Sequence, residues 1–328
     1  METFIDNTPQ YSSGTLKVQV TSILNARPIV DATIRISITG APEDEFYETQ
    51  TNMVGQTEDI VLPTPSEELS QEPSAEMPYA EYNLQISAPS FETIEIVGVN
   101  VLANTLSIQN IVMVPIQQEI SPTASVYIIP PNTLYGDFPP KIAETETKPT
   151  NETGEIVLSR VVVPEYIIVH DGPPADRSAT DYYVKYKDYI KNVASSEIYA
   201  TWPEATIIAN VLAIQSFTLN RIYTEWYRNK GYNFNITTST AYDQKWVHNR
   251  NIFDTISEIV DCIFDQYLAR PNITQPILTQ YCDGRRVTCP NWLSQWGSKD
   301  LGDRGYSASE IIKYYYGDSM YISTAEEK

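Results

Sequence analysis

Ser195-Ser196-Glu197-Ile198-Tyr199-Ala200-Thr201-Trp202-Pro203 is the stretch on which the reading of the C-terminal half turns. Pro203 fits a first helical position, and Glu204 suits the positive end of the helix that follows. Ile208, Val211, Leu212, Gln215, Leu219, Ile222 and Trp226 then recur at i, i+3, i+4 spacing, which predicts a long amphipathic helix before Gly231. Glu197 therefore stands just ahead of a strong helix start, among aromatic and apolar neighbours. One reading is a carboxylate that complements a helix N-terminus. The other is a carboxyl whose neutral form is favoured by its surroundings, fit to act as a general acid.

Working outward, the residues after this helix alternate elements without a strand-helix-strand rhythm. Residues 252–268 read as a second amphipathic helix, residues 276–281 as a buried strand, and residues 307–316 as a last helix preceded by Leu293-Ser294-Gln295-Trp296-Gly297. Upstream, residues 166–170 read as a strand and Asp171-Gly172-Pro173-Pro174 as a turn. The expected class of residues 161–328 is α+β.

The N-terminal half has a different texture. Leu16–Val20, Ala32–Ile38, Tyr82–Ile86, Glu92–Ile96 and Ser107–Met113 alternate with period 2 and carry turn signals between them. They predict an all-β sandwich over residues 14–116, behind a polar, disordered tail at 1–13. Residues 63–78, rich in Pro and Glu, read as a solvated loop. Residues 117–160 read as a connector, since Ser121-Pro122, Pro130-Pro131, Pro139-Pro140 and Lys148-Pro149 break regular structure. The charge changes at its end: residues 1–160 hold 22 Asp and Glu against 6 Lys and Arg, residues 161–328 hold 20 against 16. The junction near Arg160-Val161 is either a plain inter-domain link or a processing site that would release an acidic pro-region.

The formal charge of −20 over 328 residues disfavours nucleic acid as a partner. No apolar run is long enough to span a membrane, and no signal-peptide pattern opens the sequence. Three cysteines are too few for a disulfide scaffold. Cys282 and Cys289 could pair, could join His248 at a metal, or could remain buried thiols. His170 reads as structural.

The strand pattern of residues 14–116 resembles transthyretin-like modules that accompany many bacterial enzymes. Residues 186–322 resemble the peptidoglycan-acting domain of the stage II sporulation protein D and amidase-enhancer family. The resemblance lies in ordered pieces: Ser196-Glu197-Ile198, Trp202-Pro203, Ile214-Gln215-Ser216, Asp243-Gln244, Leu293-Ser294-Gln295-Trp296-Gly297, Gly305-Tyr306-Ser307, Glu310-Ile311-Ile312 and Tyr314-Tyr315-Tyr316-Gly317. More narrowly, Tyr189–Tyr199, Ser216–Tyr227 and Cys282-Asp283-Gly284 look like the clostridial spore cortex-lytic enzymes, made with an N-terminal pro-region that a germination protease removes. Three departures stand out. The cortex-lytic enzymes carry a C-terminal wall-binding module and this sequence runs only just past the expected catalytic domain, Gln280-Tyr281-Cys282-Asp283-Gly284 replaces a His-Ser-Ser-Ser-Gly-Gly run, and Asn220 stands where many relatives have Arg.

The resemblance implies a lytic transglycosylase that cuts peptidoglycan between N-acetylmuramic acid and N-acetylglucosamine, without a cofactor, in the spore cortex or cell wall. Glu197 would be its acid and base. Gln215, Gln244, Ser294 and Gln295 are candidate sugar-binding groups or structural hydrogen-bonders. Asp243 and Asp283 are candidate helper carboxylates. Tyr199, Trp202 and Trp246 could stack on sugars or pack in the core. The implied partners are glycan strands and an activating protease, whose removal of residues 1–160 should raise activity. A non-catalytic amidase enhancer and a structural wall or coat protein remain as alternatives.

Overall fold

The structure, a computed structural model, describes residues 12–116, 124–146 and 157–327. The expected tail at 1–13 and much of the expected connector at 117–160 fall outside the described residues. The molecule is mixed, mostly sheet, with five α-helices among the described residues. It divides into two compact units, Met1–Ile129 and Pro130–Lys328.

The first unit is built from β1 (Ser12–Ser22), β2 (Thr33–Ile38), β3 (Ala41–Gln50), β4 (Ile60–Thr64), β5 (Tyr79–Ser87), β6 (Ile94–Leu102), β7 (Leu106–Met113) and β8 (Ser125–Ile128). Within this unit β1 lies between β7, to which it is parallel, and β4, to which it is antiparallel. The other sheet runs β3-β2-β5-β6-β8. β1, β4 and β7 pack on β5 and β6, so the unit is a two-sheet sandwich. Alternation decides which residues fill it: Leu16, Val18 and Val20 of β1 are fully buried, as are Ile34, Ile36 and Ile86 of the facing sheet.

Three differences from the sequence reading have physical causes. β3 was hidden because its residues, Ala41-Pro42-Glu43-Asp44-Glu45, are poor strand formers that pair with β2 through a register shift. Residues 63–78 are not all loop: β4 ends at Thr64, and a short turn of helix, Glu67–Ser70, buries Ser70 completely. The proline-rich connector also contains a strand, β8, beside β6.

The second unit opens with the irregular segment 130–146. Then come β9 (Val162–Val163), β10 (Tyr166–His170), β11 (Asp181–Lys185), α1 (Tyr186–Glu197), α2 (Glu204–Tyr223), β12 (Ile236–Thr237) and β13 (Ile252–Phe253). They are followed by α3 (Asp254–Ile263), β14 (Gln266–Ala269), β15 (Tyr281–Cys282), β16 (Leu293–Ser294), α4 (Gln295–Asp303), α5 (Ala308–Tyr316), β17 (Tyr321–Thr324) and β18 (Glu326–Glu327). The other four helices and β14 all pack on α2. That is why α2 is buried on nearly every side, Thr206, Gln215, Ser216, Thr218 and Asn220 included. The apolar stripe of the sequence marked only part of a central helix.

α1 was not expected as a helix, and it changes the setting of the opening stretch. Glu197 is its last residue, so the carboxyl sits at the negative end of a helix rather than before the positive end of the next. The expected helix at 252–268 is shorter, because Phe264 caps α3 and the chain then turns into β14. Leu293–Gly297 does not simply precede a helix. Ser294 caps α4 by accepting the N–H of Gly297 at 2.9 Å, and Gln295 is the first helical residue. The last helix has a capping box, Ser307 with Glu310, as the Ser-x-x-Glu spacing permits.

Candidate active site

The end of α1 is held by main-chain contacts from several directions. Thr133 N donates to the Ser196 carbonyl at 2.9 Å, and the Asn132 side chain donates to the carbonyls of Ser195 and Ile198 at 3.3 Å each. Gln295 Nε2 donates to the Glu197 carbonyl at 3.1 Å. The Glu197 side chain is 3 % exposed. Its Oε1 accepts the backbone N–H of Lys245 at 2.6 Å, which leaves Oε2 buried with no hydrogen-bond partner among the described residues. The Tyr281 hydroxyl lies beside the carboxyl and the Gln244 side chain, acts on both electrostatically, and is buried with no completed hydrogen bond among the described residues.

Burial raises the pKa of Glu197 above the ordinary carboxylate value. The Lys141 ammonium, the Lys245 N–H, the Tyr281 hydroxyl and the Lys245 charge pull the other way and do not cancel the rise. The helix end beneath it works in the same direction as burial. Lys141 feels the converse: burial lowers its pKa to about 8, although Glu197 and Asp243 favour its charge. Its Nζ donates to the Asp243 carbonyl and lies 4.6 and 4.7 Å from the ring centroids of Phe217 and Tyr281. Lys245 is likewise lowered, first by burial.

These groups open on a cavity of about 360 Å³. One wall is Thr133 and the run Asp137–Lys141, and facing it are Glu197, Thr240, Asp243, Tyr281, Cys282, Asp283, Arg286, Val287 and Gln295. The wall is fastened to the domain by specific pairs. Glu144 receives Arg221 at 2.5 and 3.2 Å, Glu146 receives Arg270 at 2.7 and 3.0 Å, and the Gln280 side chain bonds the backbone of Ile142 and Glu144. Arg286 also donates to the carbonyls of Thr133 and Gly136.

Of the sequence candidates, the cavity brings together Glu197, Asp243, Asp283 and Gln295. Asp243 is fully buried and its oxygens are taken: Oδ1 by Arg221 Nε at 2.7 Å, Oδ2 by the Tyr227 hydroxyl at 2.5 Å and by Thr237 N and Oγ1 at 2.9 and 2.7 Å. Asp283 is buried. Burial would raise its pKa, but the Arg286 side chain and the N–H groups of Val287, Arg286 and Arg285 bring it below the usual range. Neither is placed to be a free helper carboxylate. Gln215 lies outside the cavity and donates to the carbonyls of Ile263 and Gln266 at 2.8 and 3.3 Å. Gln244 is buried among Tyr189, Thr218 and the Ile214 carbonyl, and Ser294 is the α4 cap.

Tyr199 and Trp202 also lie outside the cavity, in an aromatic cluster with Trp296 whose centroids are 5.0 to 6.1 Å apart. Trp246 tilts on Tyr182 at 5.3 Å. Cys282 and Cys289 form a disulfide, and His248 stacks on Tyr182 at 4.3 Å. Among the described residues no group of three His, Cys, Asp or Glu side chains is gathered as a metal site. His170 bonds Asp181 at 2.7 Å and stacks on Phe234. At the expected processing junction, Arg160 is exposed and paired with Glu326, whereas Val161 is buried and its carbonyl accepts the Glu326 N–H at 3.2 Å.

No protein-family model matches the chain, and no curated protein sequence matches it. Solved structures are similar over about a third of it. The Bacillus anthracis TIE protein is 12 % identical over 32 % of this chain and 17 % of its own, with a TM-score of 0.23. The hydroxyquinol 1,2-dioxygenase of Pseudomonas putida DLL-E4 is 12 % identical over 32 % of this chain and 57 % of its own, also at 0.23. The 5-hydroxyisourate hydrolase of Klebsiella pneumoniae is 17 % identical over 31 % of this chain and 92 % of its own, at 0.20. The chain thus spans less than two thirds of each of the first two. Likeness at these TM-scores carries no argument about fold or function.

Sequence reasoning missed Lys141, Tyr281, Arg221 and Lys245. Lys141 follows Pro139-Pro140, which marks broken structure and says nothing about where the chain lies. Tyr281 sits beside Cys282-Asp283-Gly284, where Gly284 carries a signal: its φ of +76° and a would-be Cβ 1.8 Å from Ser294 Oγ demand glycine. Arg221 is a cation on an otherwise buried helix, which calls for a buried acid as partner.

Proposed function

We propose that this protein is a peptidoglycan lytic transglycosylase that cleaves the glycan between N-acetylmuramic acid and N-acetylglucosamine, with Glu197 as its single acid and base. The observation that carries the reading is the isolation of Glu197. Its carboxyl is buried, its pKa is raised, one oxygen is pinned by Lys245 N–H, the other has no hydrogen bond among the described residues, and the residue lines the cavity. Asp243 and Asp283 line the same cavity but are already bound by Arg221 and Arg286. Ordinary glycosidases need two carboxyl groups. A lyase of this kind needs one, because the nucleophile belongs to the substrate.

Protonated Glu197 gives its proton to the glycosidic oxygen as the bond to muramic C1 breaks, and the N-acetylglucosamine end leaves as an alcohol. The carboxylate then takes the proton of the muramic 6-hydroxyl as that oxygen bonds C1, closing the 1,6-anhydro ring and restoring the acid. Gln295 and Asp283 would contact the sugar, since both face the cavity. The second unit would then be a stage II sporulation protein D-type domain, and the first a transthyretin-like pro-region. Cleavage near Arg160 during germination would act on spore cortex, and the exposed side chain of Arg160 is compatible with protease access.

Mass spectrometry of digested cortex peptidoglycan tests the reaction. Anhydro-muramic ends with the wild-type chain and none with Glu197→Gln are expected. Reducing ends would indicate hydrolysis instead, and full action of the variant would turn the reading into that of a wall-binding enhancer. No product from the intact or the protease-treated chain would overturn the enzyme reading.

A further inference from the structure

Two buried polar atoms at one cavity lack partners, and they are neighbours. Oε2 of Glu197 and the Tyr281 hydroxyl each lie out of water with no hydrogen bond among the described residues. A buried unsatisfied polar group costs about 1–3 kcal/mol, so two side by side call for an explanation. Every other constraint fixes them in place. Glu197 is held through Oε1 by Lys245 N–H and through its carbonyl by Gln295. Tyr281 is in β15, paired with Leu293, next to the Cys282–Cys289 disulfide, and its ring has the Lys141 ammonium 4.7 Å from its centroid. These are groups positioned with one bond left unmade.

Resting on the proposed lyase reading, we propose that Tyr281 is the positioning residue of Glu197, its hydroxyl closing on Oε2 whenever the carboxyl has given up its proton. A neutral carboxyl does not need the phenol, but an ionised one in the same place does. The bond therefore forms after proton donation and is released when the 6-hydroxyl proton arrives. It holds Oε2 on the side where the substrate oxygens react, and steadies a buried anion for the instant it exists. The coupling runs both ways: Glu197 raises the pKa of Tyr281 after burial has done so, while the phenol lowers that of Glu197. The other groups facing this pair are Lys141 from the 130–146 segment, Lys245, Asp243 and the Gln244 amide from the loop before α3, and Tyr189 from α1.

The test is a titration of Glu197 by carboxyl ¹³C NMR in the full chain, its signal assigned by its loss in Glu197→Gln. Tyr281→Phe should move that titration to higher pH and lower kcat on peptidoglycan by about 10²-fold, with KM little changed. In the wild-type chain the Tyr281 ¹³Cζ signal should follow the Glu197 titration and lose that step in Glu197→Gln. This second measurement needs no folded Tyr281→Phe protein. Superimposable Glu197 titrations in wild type and Tyr281→Phe, or a Tyr281 signal blind to Glu197, would overturn the assignment. An unchanged kcat would also overturn it. If the wild-type chain makes no product, the lyase reading fails and the two titrations still decide the contact.

Discussion

Glu197 at neutral pH is a residue working against its own fold. Its pKa is higher in the folded chain than in the unfolded one, so the folded state holds the proton to higher pH. Stability is then greatest with respect to this group below the unfolded value and falls as pH rises through the folded one. Glu197→Gln keeps an acceptor for Lys245 N–H and removes the buried ionisable group. The variant should therefore melt above wild type at pH 7–8 and coincide with it near pH 4, while losing activity, a gap measurable by calorimetry across pH. Lys141 predicts the opposite kind of change. Its ammonium lowers the Glu197 pKa, so Lys141→Met should shift the Glu197 titration and the alkaline limb of activity upward. An unmoved titration would show that the charge is too well screened to matter. At this scale the sequence singled out Glu197, because an acidic residue close to Ile198, Tyr199 and Trp202 is anomalous on its face, and left helix capping as its other reading. Its partners were invisible: a lysine after Pro139-Pro140 and a tyrosine before a cysteine have no periodic signature.

Elements explain how the Glu197 carboxyl is placed. α1 was unread because Tyr186-Lys187-Asp188-Tyr189-Ile190-Lys191 mixes charges and aromatics, and its amphipathic face emerges only against α2 and α3. The helix ends where Glu197 must sit, and α4 begins where Gln295 can hold its carbonyl. Between them runs β15, stapled by the Cys282–Cys289 disulfide across a separation of seven residues. Closing so short a loop stabilises by about 2 kcal/mol in the chain-entropy view. The double Ser variant should lose roughly that much in denaturant unfolding, and because Tyr281 precedes Cys282 it should also lose activity beyond the stability change. Equal activity per folded molecule would place the bridge outside the site's mechanics. α2, by contrast, was legible in extent and misread in role. Gln215, noticed as a polar intruder on the stripe, bonds backbone carbonyls near α3 and β14, whereas Arg221 on the same helix organises the cavity floor through Asp243 and Glu144.

At the scale of the molecule, the second unit begins at Pro130, well before the boundary at residue 161 that the charge profile suggested. Proline-rich composition reports a lack of regular hydrogen bonding, and residues 130–146 do lack it; they are nonetheless tied down by side chains of the domain they cross. The decisive tie is Glu144 on Arg221, whose side chain is 1 % exposed. Losing Glu144 leaves Arg221 its second buried partner, Asp243, so the cost is that of lost charged hydrogen bonds, about 1.5–3 kcal/mol, and not that of an orphaned buried charge. A chain starting at Val161, which the pro-region view expects to be the more active form, should therefore be less stable than one starting at Pro130 by about 1.5–3 kcal/mol. It would also lack the wall that carries Lys141. A nick at Arg160-Val161 is a different event from deletion, because the Glu144–Arg221 and Glu146–Arg270 pairs stay in reach. After such a nick the two pieces should run together in size-exclusion chromatography and separate only in denaturant. Pieces that part in native buffer, with the Val161 chain stable and active, would show that the 130–146 segment is a covering to be discarded rather than a wall of the site.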